Sequence, residues 1–202
     1  ILASTILFEK EVIIKNLPRV KDIDTMINLL KSLGSVIQFS KNKKNVKITK
    51  KKKQNYLATY SLVRTMRAGI LVLGALVAKH QKSITSLPGG CLIGARPIDE
   101  HINSLKELGV MFKFKNNYLS AEVITPNKRL LGSSINFKCK SVGATETLLM
   151  AASLAKGTTK LNNAAQEPEI IDLANMLNLM GAKIKGAGSE CITIEGVESL
   201  KG

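Results

Sequence analysis

The chain has 202 residues, 45% of them hydrophobic, and a formal net charge of +15, enough for one large domain or two small ones around a sizeable core. Its longest uncharged apolar stretch, residues 68–78, is far short of the roughly 20 that cross a bilayer as a helix, so no spanning helix and no membrane partner are expected. Three widely spaced cysteines, Cys91, Cys139 and Cys191, contain no C-x-x-C pair, which argues against a disulfide framework and a zinc site and points to a reducing cytoplasm. The first eight residues have neither a basic region nor a cleavage pattern and do not begin with Met. No signal peptide is therefore expected, and the chain is expected to start inside a longer protein. Arg19, Arg64, Arg67, Arg96 and Arg129 are the only arginines among 30 basic residues, and five Phe and three Tyr offer little base stacking. Lysine excess spread in this way is not a shaped nucleic-acid groove, although it favours anionic small molecules.

Taken in order, the chain repeats itself. A helical pattern at residues 3–8 is followed by a β-rich run at 11–15. An amphipathic helix carrying Ile23, Met26, Ile27, Leu30 and Leu33 then ends at Gly34, and strands are expected at 35–39 and 46–49. Between those strands and just beyond, residues 41–53 hold eight lysines, which read as a solvated hairpin edge. A second helical pattern covers 61–80, with Leu62, Met66, Ile70, Leu73 and Val77 on one face and His80 at its surface end. A strand at 83–86, a helix with Ile98, Ile102, Leu105 and Leu108 ending at Gly109, and strands at 110–114 and 118–123 follow. The third round has a helix at 144–156, a strand at 158–161, and a helix with Leu173, Ala174, Leu177 and Met180 ending at Gly181. Strands at 182–185 and 191–194 close it. Glycine suits the left-handed residue that terminates each of these helices. The unit is helix, strand, loop, helix, strand, strand. Three such units, at about 1–60, 61–135 and 136–202, imply one α/β domain whose six helices supply most of a common core.

The middle unit is longer than its siblings. From Asn16 to Gly34 and from Asn163 to Gly181 the spacing is 18 residues, but from Ser86 to Gly109 it is 23. The five extra residues fall within 89–96, around Cys91. Since the siblings fold without them, they are read as functional. The glycines there expose backbone N–H groups, Arg96 adds a bidentate anion clamp, and a thiol between the two is acidified, fit to act as nucleophile or proton donor. Ser141-Val-Gly-Ala-Thr-Glu146 opens a helix whose free N–H groups and dipole suit a phosphate, the alternative being an ordinary cap. His101, one turn into the helix after the Cys loop, is open to a core or a site role.

Four stretches carry a resemblance: Leu-Val-Arg-Thr-Met-Arg-Ala at 62–68, Leu-Pro-Gly-Gly-Cys-Leu-Ile-Gly-Ala-Arg-Pro-Ile-Asp-Glu-His at 87–101, Ser-Val-Gly-Ala-Thr at 141–145, and Asn-Ala-Ala-Gln-Glu-Pro-Glu-Ile-Ile-Asp at 163–172. Over essentially its whole length the chain resembles the enolpyruvyl transferases that act on UDP-N-acetylglucosamine at the entry to peptidoglycan synthesis. The resemblance implies an inside-out α/β barrel of three repeated units, in a family whose members have two such domains. It implies transfer of enolpyruvyl from phosphoenolpyruvate to the sugar 3-hydroxyl by addition and elimination, without metal or redox cofactor. Cys91 would be the general acid toward the enolpyruvyl methylene, able to form a covalent adduct and open to alkylation by fosfomycin. Arg96 would lie near the phosphoenolpyruvate phosphate, Pro97, Ile98, Asp99 and Glu100 along the uridine, and Arg67 on the nucleotide side. Ser141, Val142 and Gly143 would lie against the diphosphate. Where many members have a lysine two residues before Ser141 this chain has Cys139, which leaves open whether Lys138 or Lys140 reaches the nucleotide. Glu100 stands where an apolar residue is usual. The family's Lys-Asn pair, which contacts phosphoenolpyruvate, and its second domain, which carries an Asp acting on the sugar hydroxyl, have no counterpart in these residues, so the chain alone is expected to be inactive. The rivals are the sibling that makes 5-enolpyruvylshikimate 3-phosphate, disfavoured by the Cys loop, and a nucleic-acid-binding module on a related repeat fold, supported only by charge.

Overall fold

A computed structural model describes residues 1–63, 66–86 and 98–202. The Cys loop expected at 89–96 lies outside the described residues.

The chain opens on a 3-10 turn, Ala3–Leu7, rather than a regular helix; the hydroxyls of Ser4 and Thr5 each donate at 2.7 Å to the carbonyl three residues back, which favours the tighter winding. Strand β1 (Val12–Ile14), helix α1 (Lys21–Ser32) and strands β2 (Ser35–Phe39) and β3 (Val46–Lys50) follow. They form an antiparallel sheet in the order β1-β3-β2. Next come β4 (Leu57–Ala58), α2 (Tyr60–Val63), a 3-10 turn at Arg67–Leu71, α3 (Val72–His80), β5 (Lys82–Ser86), α4 (Asp99–Glu107), β6 (Val110–Lys115) and β7 (Tyr118–Val123). The last round is β8 (Ser134–Asn136), α5 (Val142–Ala152), β9 (Thr158–Asn162), α6 (Pro168–Leu179), β10 (Lys183–Lys185) and β11 (Cys191–Glu195). The second and third sheets run β4-β5-β7-β6 and β10-β11-β9-β8, with β4 parallel to β5 and β8 parallel to β9.

Two departures from the sequence reading stand out. Short parallel strands, β4 and β8, precede the first helix of the second and third units, where no strand was expected; at two and three residues they are too short to show alternation. The helix expected over 61–80 is broken, because Met66 is extended and Gly69 lets the backbone pass Val63 closely, a Cβ there lying 3.1 Å from the Val63 Cα. Its apolar positions are nonetheless inward, Met66, Ile70, Leu73 and Val77 all being buried.

The three rounds close alike. Gly34, Gly109 and Gly181 have φ of 104°, 90° and 102°, values an L side chain rarely adopts. The residue preceding each, at the end of its helix, accepts a backbone bond from the chain after the hairpin: Asn55 N to Leu33 O at 3.0 Å, Leu131 N to Leu108 O at 3.0 Å, and Lys201 N to Met180 O at 2.9 Å.

Helices occupy the inside and sheets the outside. Residues 72–77 of α3 are buried without interruption, as is most of α5; the two helices pack on each other, and α3 also packs on the opening 3-10 turn. Their approach is close enough that a Cβ on Gly74 would sit 2.6 Å from the Thr147 carbonyl oxygen. Helices α1, α4 and α6 bury one face each, and outer strands alternate, as in β11, where Ile192 and Ile194 are buried and Cys191 and Glu195 exposed. The α/β architecture of inward helices and outward sheets is thus the one expected.

The lysine-rich hairpin is less uniformly solvated than its composition suggests. Lys50 is half-buried and donates to the carbonyls of Ile6, at 2.6 Å, and Phe8, and burial pulls its pKa down to about 8. His80 is half-buried at the end of α3, not a surface residue, and burial lowers its pKa.

Candidate functional site

Two helix N-termini and one 3-10 turn meet around a cavity of about 950 Å³. Helix α5 begins there because Ser141 is extended and its Oγ accepts the Ala144 N–H at 3.3 Å, while the Ser141 carbonyl accepts the Thr145 N–H and hydroxyl. This cap leaves the N–H groups of Val142 and Gly143 without partners inside the helix, a disposition that attracts anions. Helix α4 enters with Asp99 and Glu100 in its first turn, a favourable placement of negative charge at a helix start. Arg67 opens the 3-10 turn between them.

Arg67, Asp99, Glu100, His101, Lys138, Cys139, Lys140, Ser141, Val142 and Gly143, ten of the site residues expected from the sequence, line this one cavity. Ile98 does not; it packs half-buried against the core as the N-cap of α4. Cys91, Arg96 and Pro97 lie outside the described residues. A neighbouring cavity of about 660 Å³, between β1, α1 and α6, is walled by Ile13, Ile23, Met176 and Leu179 among others and holds none of the expected residues. Among the described residues no cluster of three or more His, Cys, Asp or Glu is placed to hold a metal ion, and no helix is long and apolar enough to cross a membrane.

Both candidate lysines line the cavity, in different surroundings. Lys140 Nζ lies 2.6 Å from Glu190 Oε1 on the far hairpin, and that hydrogen bond lowers the Glu190 pKa. Lys138 lines the same cavity and has no ion pair among the described residues. Cys139 is exposed, its Sγ 4.0 Å from Glu100 Oε1.

His101 is buried, 7% exposed, with Nδ1 2.9 Å from the Thr147 hydroxyl on α5. Burial, helped by the positive charge of Arg67, pulls its pKa down to about 4, so the ring is neutral near pH 7. Glu146, also on the cavity wall, is pushed up by burial. Neither Glu146 as a cavity residue nor Thr147 as the partner of His101 was singled out from sequence. Thr147 follows Gly143 by four positions and so shares its helix face, a signal that becomes readable only when His101 is known to pack there.

Comparison with known proteins identifies the family and the fold. A profile of the family described as EPSP synthase (3-phosphoshikimate 1-carboxyvinyltransferase) matches residues 1–202. The UDP-N-acetylglucosamine 1-carboxyvinyltransferase of Pelagibacter ubique is 54% identical over 201 residues, and that of Glaesserella parasuis is 50% identical over 202; each match covers 100% of this chain and 47% of the relative. The chain therefore spans about half the length of the curated relatives it matches. Among solved structures, the enolpyruvyl transferase NikO from Streptomyces tendae superposes with a TM-score of 0.83 at 20% identity, covering 99% of this chain and 46% of that one. EPSP synthase from Acinetobacter baumannii gives 0.73 at 17%, covering 100% and 46%. These structures share the fold.

Proposed function

The chain belongs to the EPSP synthase family of carboxyvinyltransferases, and from that premise we propose that it is one domain, built of three repeats, of an enzyme moving enolpyruvyl from phosphoenolpyruvate to the 3-hydroxyl of UDP-N-acetylglucosamine. The observation that carries this reading is the convergence, in one cavity, of Arg67, the first turn of α4 and residues 138–143. The names of relatives around 50% identical support the choice of acceptor.

In this reading the Val142 and Gly143 N–H groups and Lys138 hold the diphosphate, Asp99 and Glu100 lie along the uridine, and Arg67 adds charge on the nucleotide side. Cys91 delivers a proton to the methylene carbon of phosphoenolpyruvate while the sugar oxygen bonds to the adjacent carbon. Loss of a methyl proton and departure of phosphate then restore the double bond. Arg96 steadies the phosphate. A second domain closes the cleft and supplies the base for the sugar hydroxyl; such electrostatics are effective only in a water-poor site, so the 202 residues alone are inactive. The product would commit the sugar nucleotide to peptidoglycan synthesis in the cytoplasm.

The test is phosphate release from phosphoenolpyruvate by the full reading frame. Release should require UDP-N-acetylglucosamine, and Cys91→Ser should lower kcat by about 10²- to 10⁴-fold. Release with shikimate 3-phosphate instead would favour the sibling enzyme. Salt-sensitive RNA binding without sugar-nucleotide binding would favour a nucleic-acid module.

A further inference from the structure

His101 stands between the two helix starts that the nucleotide reading uses. It is the third residue of α4, and its ring reaches α5 twice. Nδ1 is 2.9 Å from Thr147 Oγ1, and a Cβ on Gly143 would lie 3.2 Å from the ring Cε1 and 3.3 Å from Nε2. The ring edge therefore lies under the first turn of α5, in the space a side chain at 143 would take. Thr147 is fully buried, and Nδ1 is the partner its hydroxyl meets among the described residues. A hydroxyl carries one hydrogen and must place it when buried. Donation to Nδ1 would place it, and would put the ring proton on Nε2, on the Gly143 side.

Resting on the nucleotide reading, we infer that His101 is a positioning residue: a neutral, Nε2-protonated imidazole wedge that fixes the N–H groups of Val142 and Gly143 relative to the first turn of α4, so that one sugar nucleotide can engage both. Arginine or lysine in its place would bring a charge into a buried contact, and a smaller side chain would let the turn carrying Gly143 shift toward α4. Thr147 is the other half of the device, since without its hydroxyl the ring is free to rotate.

The test uses the ¹⁵N-labelled chain titrated with UDP-N-acetylglucosamine. The free chain should show the Nε2–H tautomer of His101, and the nucleotide should shift the amides of Val142 and Gly143. His101→Ala and Thr147→Val should each weaken binding about tenfold. The double variant should lose no more than either single one, as expected for residues acting as one unit. His101→Asn, whose side-chain oxygen can accept from Thr147, should recover affinity to within about threefold of the parent. The inference is overturned by unchanged affinity in His101→Ala or by the Nδ1–H tautomer in the parent chain. Should the variants not fold, the tautomer alone decides. A parent chain with the Nε2–H tautomer but no response of Val142 and Gly143 to the nucleotide overturns the nucleotide reading instead.

Discussion

At the scale of single residues, His101 couples burial to protonation. Its pKa is pulled from 6.5 to about 4, so between these values the unfolded chain binds a proton that the folded chain refuses. Stability rises with pH wherever the unfolded state holds more protons. The contribution of neutral His101 is therefore complete above pH 6.5 and is lost as pH falls toward 4, by roughly 3 kcal/mol in all. Urea unfolding of the parent and of His101→Gln, which cannot titrate, should give a stability difference that moves by roughly 2–3 kcal/mol against the parent between pH 7 and pH 4.5. A difference that stays constant would show that the ring is not held neutral. Whether His101 belonged to core or site could not be read from sequence, because its burial depends on Thr147, 46 positions away. It turns out to be both buried and on the cavity wall.

At the scale of elements, the helices were legible because their apolar residues recur every three or four positions and a glycine ends each of α1, α4 and α6. The short strands β4 and β8 were not, since two or three residues held by a parallel neighbour carry no periodicity of their own. The same limit hid the break near Met66, where spacing correctly marked which side chains are buried but not that a single helix fails to connect them. The pairing of α3 and α5 supplies the sharpest test at this scale. A Cβ on Gly74 meets the Thr147 carbonyl at 2.6 Å, whereas one on Gly181 meets nothing within 4 Å, although φ there is 102°. Gly181→Ala should cost only the backbone term, about 1–2 kcal/mol. Gly74→Ala forces two buried helices apart at Thr147 and should cost more, about 2–3 kcal/mol, as overpacking does. Equal losses in denaturant unfolding would mean that α3 and α5 do not approach this closely. Because Thr147 also holds His101, the strain should reach the cavity.

At the scale of the whole molecule, three similar rounds put their inner helices side by side, and the positive ends of α4 and α5 then open on the same cavity. The repeat itself is readable from glycine spacing, and so is the extra length of the middle unit around Cys91. That residues 67, 97–100 and 141–143 would serve one nucleotide came from resemblance, because separation in sequence says nothing of meeting in space. The net charge of +15 is a poor guide by comparison, since the lysines are spread along the chain and the eight at 41–53 do not line the cavity. Two exposed thiols provide an internal comparison for the central claim, that a sugar nucleotide fills the space between α4 and α5. Cys139 lies on the cavity wall, 4.0 Å from Glu100, while Cys191 lies on β11 beside Asn162. Maleimide labelling followed by peptide mass mapping, with and without UDP-N-acetylglucosamine, should show Cys139 protected by the nucleotide and Cys191 modified at an unchanged rate. Equal labelling of Cys139 in both conditions, at saturating nucleotide, would contradict the account.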